Sequence, residues 1–125
     1  MFNNLYRVLV VDDNHDAAKS LAFLLGTAGF KVETAFDGKT ALEIAARFDP
    51  DACILDINMP GMNGYELARR LRAMANECPP ILATLTGQSD FEHLDRATNA
   101  GFDLHFTKPA DPDDLAAQLE ECLSR

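Results

Sequence analysis

Short apolar runs recur five times along this chain, and helical patterns with apolar spacing near 3.6 fill the intervals. The runs are Arg7–Val11, Lys31–Ala35, Ala52–Leu55, Ile81–Leu85 and Leu104–Phe106. Val8-Leu9-Val10-Val11 and Cys53-Ile54-Leu55 hold no polar residue, as expected of strands covered on both faces. The first helix places Ala18, Leu21, Leu25 and Ala28 on one face and stops at Gly29. The second repeats Ala41, Ile44, Ala45 and Phe48, and the third Leu67, Leu71 and Met74. A fourth opens on the capping-box pattern Ser89-Asp90-Phe91-Glu92 and carries a thin stripe of Phe91, Leu94 and Ala97. The last has Asp111 at its cap, Pro112 in its first turn, and Leu115, Leu119 and Cys122 inward. Strand–helix repetition of this kind predicts an α/β domain, a parallel sheet with helices on both faces and right-handed crossovers. With 125 residues, 47% of them hydrophobic, one domain spanning 1–125 is expected.

Charge and cysteine usage narrow the function. The formal net charge of -9 repels DNA phosphates, so no direct nucleic-acid binding is expected; it suits a basic partner or a bound cation. Cys53, Cys78 and Cys122 are odd in number and widely spaced, which argues against disulfides and a zinc site. Neither a signal peptide nor an apolar run of membrane-spanning length is present, so a cytoplasmic protein away from the membrane is expected.

In doubly wound sheets the ligand site lies beyond the carboxyl ends of the strands. There the sequence puts Asp12 and Asp13 after the first strand, Asp56 at the end of the third, Thr86 after the fourth, and Lys108-Pro109 after the fifth. Three carboxylates in one crevice repel unless a cation compensates, and an oxygen-rich site suits Mg²⁺, with Mn²⁺ as the alternative ion. Lys108 brings a compact positive charge and Thr86 a hydroxyl donor, both suited to phosphoryl oxygens. Asp56 is then the covalent acceptor, giving an acyl phosphate, with Asp12 and Asp13 at the metal.

Together, Asp12-Asp13, Asp56-Ile57-Asn58-Met59-Pro60-Gly61-Met62-Asn63-Gly64, Thr86-Gly87 and Lys108-Pro109 make the chain resemble the receiver domains of two-component response regulators. The resemblance runs from Arg7 through the last helix. It implies a flavodoxin-like fold with strand order 2-1-3-4-5, and phosphorylation of Asp56 by the phosphohistidine of a sensor histidine kinase or histidine phosphotransfer protein. It further implies Mg²⁺ ligation by Asp13, Asp56 and the backbone carbonyl of Asn58, with Asp12 acting largely through water. The Lys108–Pro109 bond would be cis. The family usually has Tyr or Phe three residues before the lysine as a switch alongside the threonine; here that position is His105, beside Thr86 in the expected switch. The surface around the fourth helix and fifth strand would then bind a downstream protein not identified by the sequence. The stretch Gly101 to His105 is also similar to receivers attached to hybrid sensor kinases. No output domain follows the last helix, so a free-standing receiver or a segment of a longer protein is expected.

Simpler readings compete. Asn14 can cap the first helix, Thr86 can merely end a strand, and Lys108 can be an exposed turn lysine. Met59-Pro60-Gly61 shapes a tight turn on any reading. Asp12, Asn14 and Asp16 imitate a calcium loop, but Ala17 and Phe23 stand where glycine and glutamate are needed. His15, His93 and His105 lack ligand spacing. A dehalogenase-type aspartyl phosphatase would have an acid two residues after its nucleophile, where this chain has Asn58. A flavin carrier would want a Ser/Thr/Gly-rich loop after the first strand, where this chain has acids.

Overall fold

The computed structural model describes residues 6–57, 61–62, 64–74, 79–86, 101–107 and 110–124. Their elements run β1 (Arg7–Val11), α1 (His15–Thr27), β2 (Lys31–Ala35), α2 (Gly38–Phe48), β3 (Ala52–Asp56), α3 (Gly64–Met74), β4 (Ile81–Thr86), β5 (Leu104–Thr107) and α4 (Pro112–Leu123). The helical pattern expected at 89–97 lies outside the described residues.

All neighbouring strands are parallel, and their order is β2-β1-β3-β4-β5, the flavodoxin-like arrangement expected. The chain builds outward from β1 to β2, then returns across β1 to build β3, β4 and β5 on the other side. That reversal opens a crevice between the carboxyl ends of β1 and β3. The three later strands run slightly past their expected ends, so Asp56, Thr86 and Thr107 are the last residues of β3, β4 and β5.

Two apolar layers clamp the sheet. On one face Leu9, Val11, Cys53, Leu55 and Leu82 meet Ala41, Ile44 and Phe48 of α2 and Leu67 and Leu71 of α3. On the other, Val8, Val10, Ile54 and Leu85 meet Ala18 and Leu25 of α1 and Leu115 and Leu119 of α4. Each fully buried Leu or Ile contributes about 1.5–3 kcal/mol, so these layers dominate stability. Among the described residues the predicted stripes fail at helix ends. Ala28 caps α1 and is exposed, Met74 is 40% exposed at the last residue of α3, and Cys122 is half-buried. The apolar period there outlasts the layer that covers it.

Helix starts follow local chemistry. Asn14, Asp37 and Asp111 each accept a backbone N–H from two or three residues on, which anchors α1, α2 and α4. Pro112 fills the first turn of α4, where a missing N–H costs nothing. Among the described residues no helix is long and apolar enough to cross a membrane.

Candidate functional site

The carboxylates of Asp12, Asp13 and Asp56 converge at the crevice. One oxygen from each lies within 4.8 Å of the others. Asp12 and Asp56 are 3% and 6% exposed, whereas Asp13 faces solvent. The first two are thus carried by strands into the interior, and the third closes the group from outside.

Local structure fixes the two buried acids. The Asp12 N–H donates to the carbonyl of Ala35 at 3.1 Å, extending the β1–β2 ladder one step past the strand. Its carboxylate Oδ1 accepts the N–H of Asn14 at 3.0 Å, while the Asn14 side chain accepts from Ala17 at 3.1 Å. The capping reading of Asn14 is therefore correct, and it coexists with the convergence of Asp12 and Asp13 on Asp56. On β3, Asp56 is in register with Leu85 of β4. Just beyond it, the N–H of Gly64 donates to the carbonyl of Ile57 at 3.1 Å. A Cβ at Gly64 would stand 2.8 Å from Ile57 Cα and 2.9 Å from the Asp56 carbonyl oxygen. Only glycine lets the start of α3 press this closely on the end of β3.

The donor set is hard oxygen throughout, and two oxygens on one Mg²⁺ sit about 3–4 Å apart. Three carboxyl oxygens within 4.8 Å need little movement to meet that requirement, so the residues fit a divalent cation. Beside them, between α1 and the start of α4, lies a cavity of about 450 Å³ walled by Leu21, Leu24, Ile54 and Leu85, with Asp12 at its margin. Cys53, earlier on the same strand as Asp56, is fully buried, and burial pushes its thiol up to about 12, leaving it inert as expected of a core residue.

Of the other expected site residues, Thr86 ends β4 in register with Thr107 of β5. His105 is in β5 and exposed. Asn58, Lys108 and Pro109 lie outside the described residues. Two further features carry no sequence signature, one beside the site and one at the opposite, amino end of the strands. His15 stacks on Phe36, ring centroids 3.8 Å apart, tying the β1–α1 connection to the end of β2. Arg72 of α3 donates to the Gly101 carbonyl and reaches Asp103 at 3.4 Å, while Asp103 accepts the N–H of Leu82 at 2.9 Å. This tie fixes the entry to β5.

A parallel five-stranded sheet with acids gathered at its switch point defines a receiver architecture, and the comparisons with known proteins agree. The response regulator receiver domain family matches residues 8–120, and the chain belongs to that family. The transcriptional regulatory protein PrrA of Mycobacterium leprae is 40% identical over 119 residues, covering 95% of this chain and 50% of that protein. The chain thus spans about half the length of the curated relatives it matches. Among solved structures, the chemotaxis protein CheY4 of Vibrio cholerae superposes with a TM-score of 0.88 at 31% identity, covering 94% of this chain and 98% of that one. A BeF3-activated receiver domain of DrrB gives 0.86 at 29% identity, covering 97% and 99%. The chain is accordingly a signalling domain of the response-regulator class.

Proposed function

We propose that this domain accepts a phosphoryl group on Asp56, from the phosphohistidine of a sensor histidine kinase or histidine phosphotransfer protein, in a reaction that requires Mg²⁺. The observation that carries this reading is the convergence of Asp12, Asp13 and Asp56 within 4.8 Å at the end of β1 and β3. A carboxylate oxygen of Asp56 attacks phosphorus, the bond from phosphorus to the donor nitrogen breaks, and the acyl phosphate remains on Asp56. Asp13, Asp56 and the backbone carbonyl of Asn58 would hold the ion, with Asp12 acting largely through water. When bound, Mg²⁺ would neutralise the phosphoryl oxygens that no carboxylate can approach unaided. Thr86 and Lys108 each take one phosphoryl oxygen.

The domain is a phosphoacceptor that catalyses only its own phosphorylation and dephosphorylation. The added charge and acceptor oxygens rearrange Thr86 and His105 and so change the surface around the fourth helix expected from the sequence and the fifth strand. A downstream protein reads that surface in the cytoplasm. Incubation with Mg²⁺ and acetyl phosphate should add one phosphoryl mass to the wild type and none to Asp56→Asn. An unmodified wild type under those conditions would count decisively against the proposal. Chelation of Mg²⁺ with EDTA should likewise abolish the gain.

A further inference from the structure

β4 carries a polar side chain that the core leaves unanswered. Thr84 is 1% exposed, and its Oγ1 is buried without a hydrogen-bond partner. Among the described residues it is the buried side-chain polar atom in that state. A hydroxyl taken out of water without a partner is costly, so its retention calls for a physical account.

The strand register supplies one. Ala35, Val11, Leu55, Thr84 and His105 form a continuous row across all five strands. Residues in register on parallel strands project to the same face, and Ala35, Val11 and Leu55 belong to the layer under α2 and α3. Thr84 and His105 continue that row to the sheet edge, the first buried and the second exposed. Adjacent strands are about 4.8 Å apart, so a rotamer change at His105 suffices to bring an imidazole nitrogen to Oγ1. Both groups can donate or accept, so either neutral tautomer completes the bond.

Two positions coupled to the site flank this pair. Leu55, the partner of Thr84 on β3, immediately precedes Asp56, and Thr86 lies two residues further along β4. A change at the phosphoacceptor therefore reaches Thr84 through one strand neighbour on each route.

We propose that Thr84 is a positioning residue whose hydroxyl receives the His105 imidazole when Asp56 is phosphorylated, so that a hydrogen bond does at this edge what ring burial alone cannot. In the resting protein the imidazole stays hydrated and Oγ1 waits unpaired. Phosphorylation shifts the balance between these two arrangements of one pair, which requires only a modest difference in free energy. The inference rests on the reading of Asp56 as the phosphoacceptor.

The test is nitrogen-15 NMR of the His105 imidazole and the Ile57 amide in the full chain, with and without Mg²⁺ and beryllofluoride. Expected in the wild type are a shift of the Ile57 amide and, at His105, the imidazole shifts and slowed solvent exchange of a new hydrogen bond. Thr84→Val should keep the Ile57 response, lose the His105 response, and unfold no earlier than wild type, because it removes an unsatisfied hydroxyl. Thr84→Ser should restore the His105 response. A response of His105 in Thr84→Val equal to wild type overturns the inference. So does a wild type in which Ile57 moves and His105 does not, although the phosphoacceptor reading then stands. Silence at both groups in the wild type overturns that reading and this inference with it.

Discussion

Leu55 and Asp56 are consecutive residues of the central strand, and opposite physics holds them. Leu55 is fully buried among Val11, Leu67 and Leu82, and every atom it presents to the core is answered by apolar packing. Asp56 is 6% exposed beside two further carboxylates, an arrangement that packing alone does not favour. The same contrast runs through β1, where Val8 to Val11 are at most 1% exposed and the next residue is Asp12. One end of the sheet makes the domain stable, and the other gathers acidic charge of the kind a cation relieves. The lesson is that stability and function occupy opposite ends of the same strands.

Neighbouring substitutions should separate the two ends. Leu55→Ala deletes buried methyl groups and leaves a cavity, so urea denaturation should report a loss of about 2–5 kcal/mol. Asp56→Asn keeps the shape and removes one charge from the cluster. Its cost without Mg²⁺ should be no more than about 1 kcal/mol. Equal losses from the two substitutions would break the comparison, because the acid would then be part of what holds the strand in place.

The charged end should also gain from what the apolar end cannot use. Mg²⁺ at a hundredfold excess over its Kd should stabilise the native state by about 2.7 kcal/mol, read as a rise in thermal midpoint. Asp13→Ala removes the exposed carboxylate and should abolish most of that rise while leaving the metal-free midpoint close to wild type. A rise of equal size in the variant would dissociate Asp13 from the ion.

Gly64 lies where the two ends meet. Gly64→Ala puts a Cβ 2.8 Å from Ile57 Cα, a backbone atom that cannot step aside as a side chain would. The cost should be about 1–3 kcal/mol, with slower acetyl phosphate labelling because the Asp56 backbone must shift. Unchanged labelling in a destabilised Gly64→Ala would mean that α3 braces the fold without positioning the acceptor.

The sheet, its helices and the three acids were legible because each follows from a local rule. Continuous apolar runs mark strands covered twice, the 3.6 period marks helix faces, and a parallel α/β sheet offers its strand ends as the site. Strand order came from a resemblance and not from periodicity, since no local pattern says on which side of β1 the later strands pair. The close approach at Gly64, the orphaned Thr84 hydroxyl, the His15–Phe36 stack and the Arg72–Gly101 tie were not legible. The last two join segments far apart in the chain; Arg72 and Gly101 are 29 residues apart and share no pattern. Thr84 was the hardest to see, because an isolated threonine in an apolar strand reads as a good β-former until its register with His105 is known.

Asp37 sharpens the comparison most finely, since it is an acid at the carboxyl end of the sheet with a purely structural task. It follows β2 and caps α2, accepting the N–H of Thr40 at 2.7 Å. That backbone N–H holds its carboxyl below the ordinary carboxylate range, helped by the Thr40 side chain. A depressed folded pKa means that the stabilisation is present above the unfolded carboxylate value and is lost as pH falls through the folded one. Asp37→Ala should therefore cost about 1 kcal/mol near neutral pH, and the deficit should shrink as the solution is acidified. Asp37→Asn keeps an oxygen acceptor at the cap, so it should retain most of the stability and lose this part of the pH dependence. Denaturation of all three proteins across the carboxylate range decides the matter. Should Asp37→Ala also weaken the Mg²⁺-induced rise in midpoint, Asp37 would belong with Asp12, Asp13 and Asp56, and the division between capping acids and site acids would have to be redrawn.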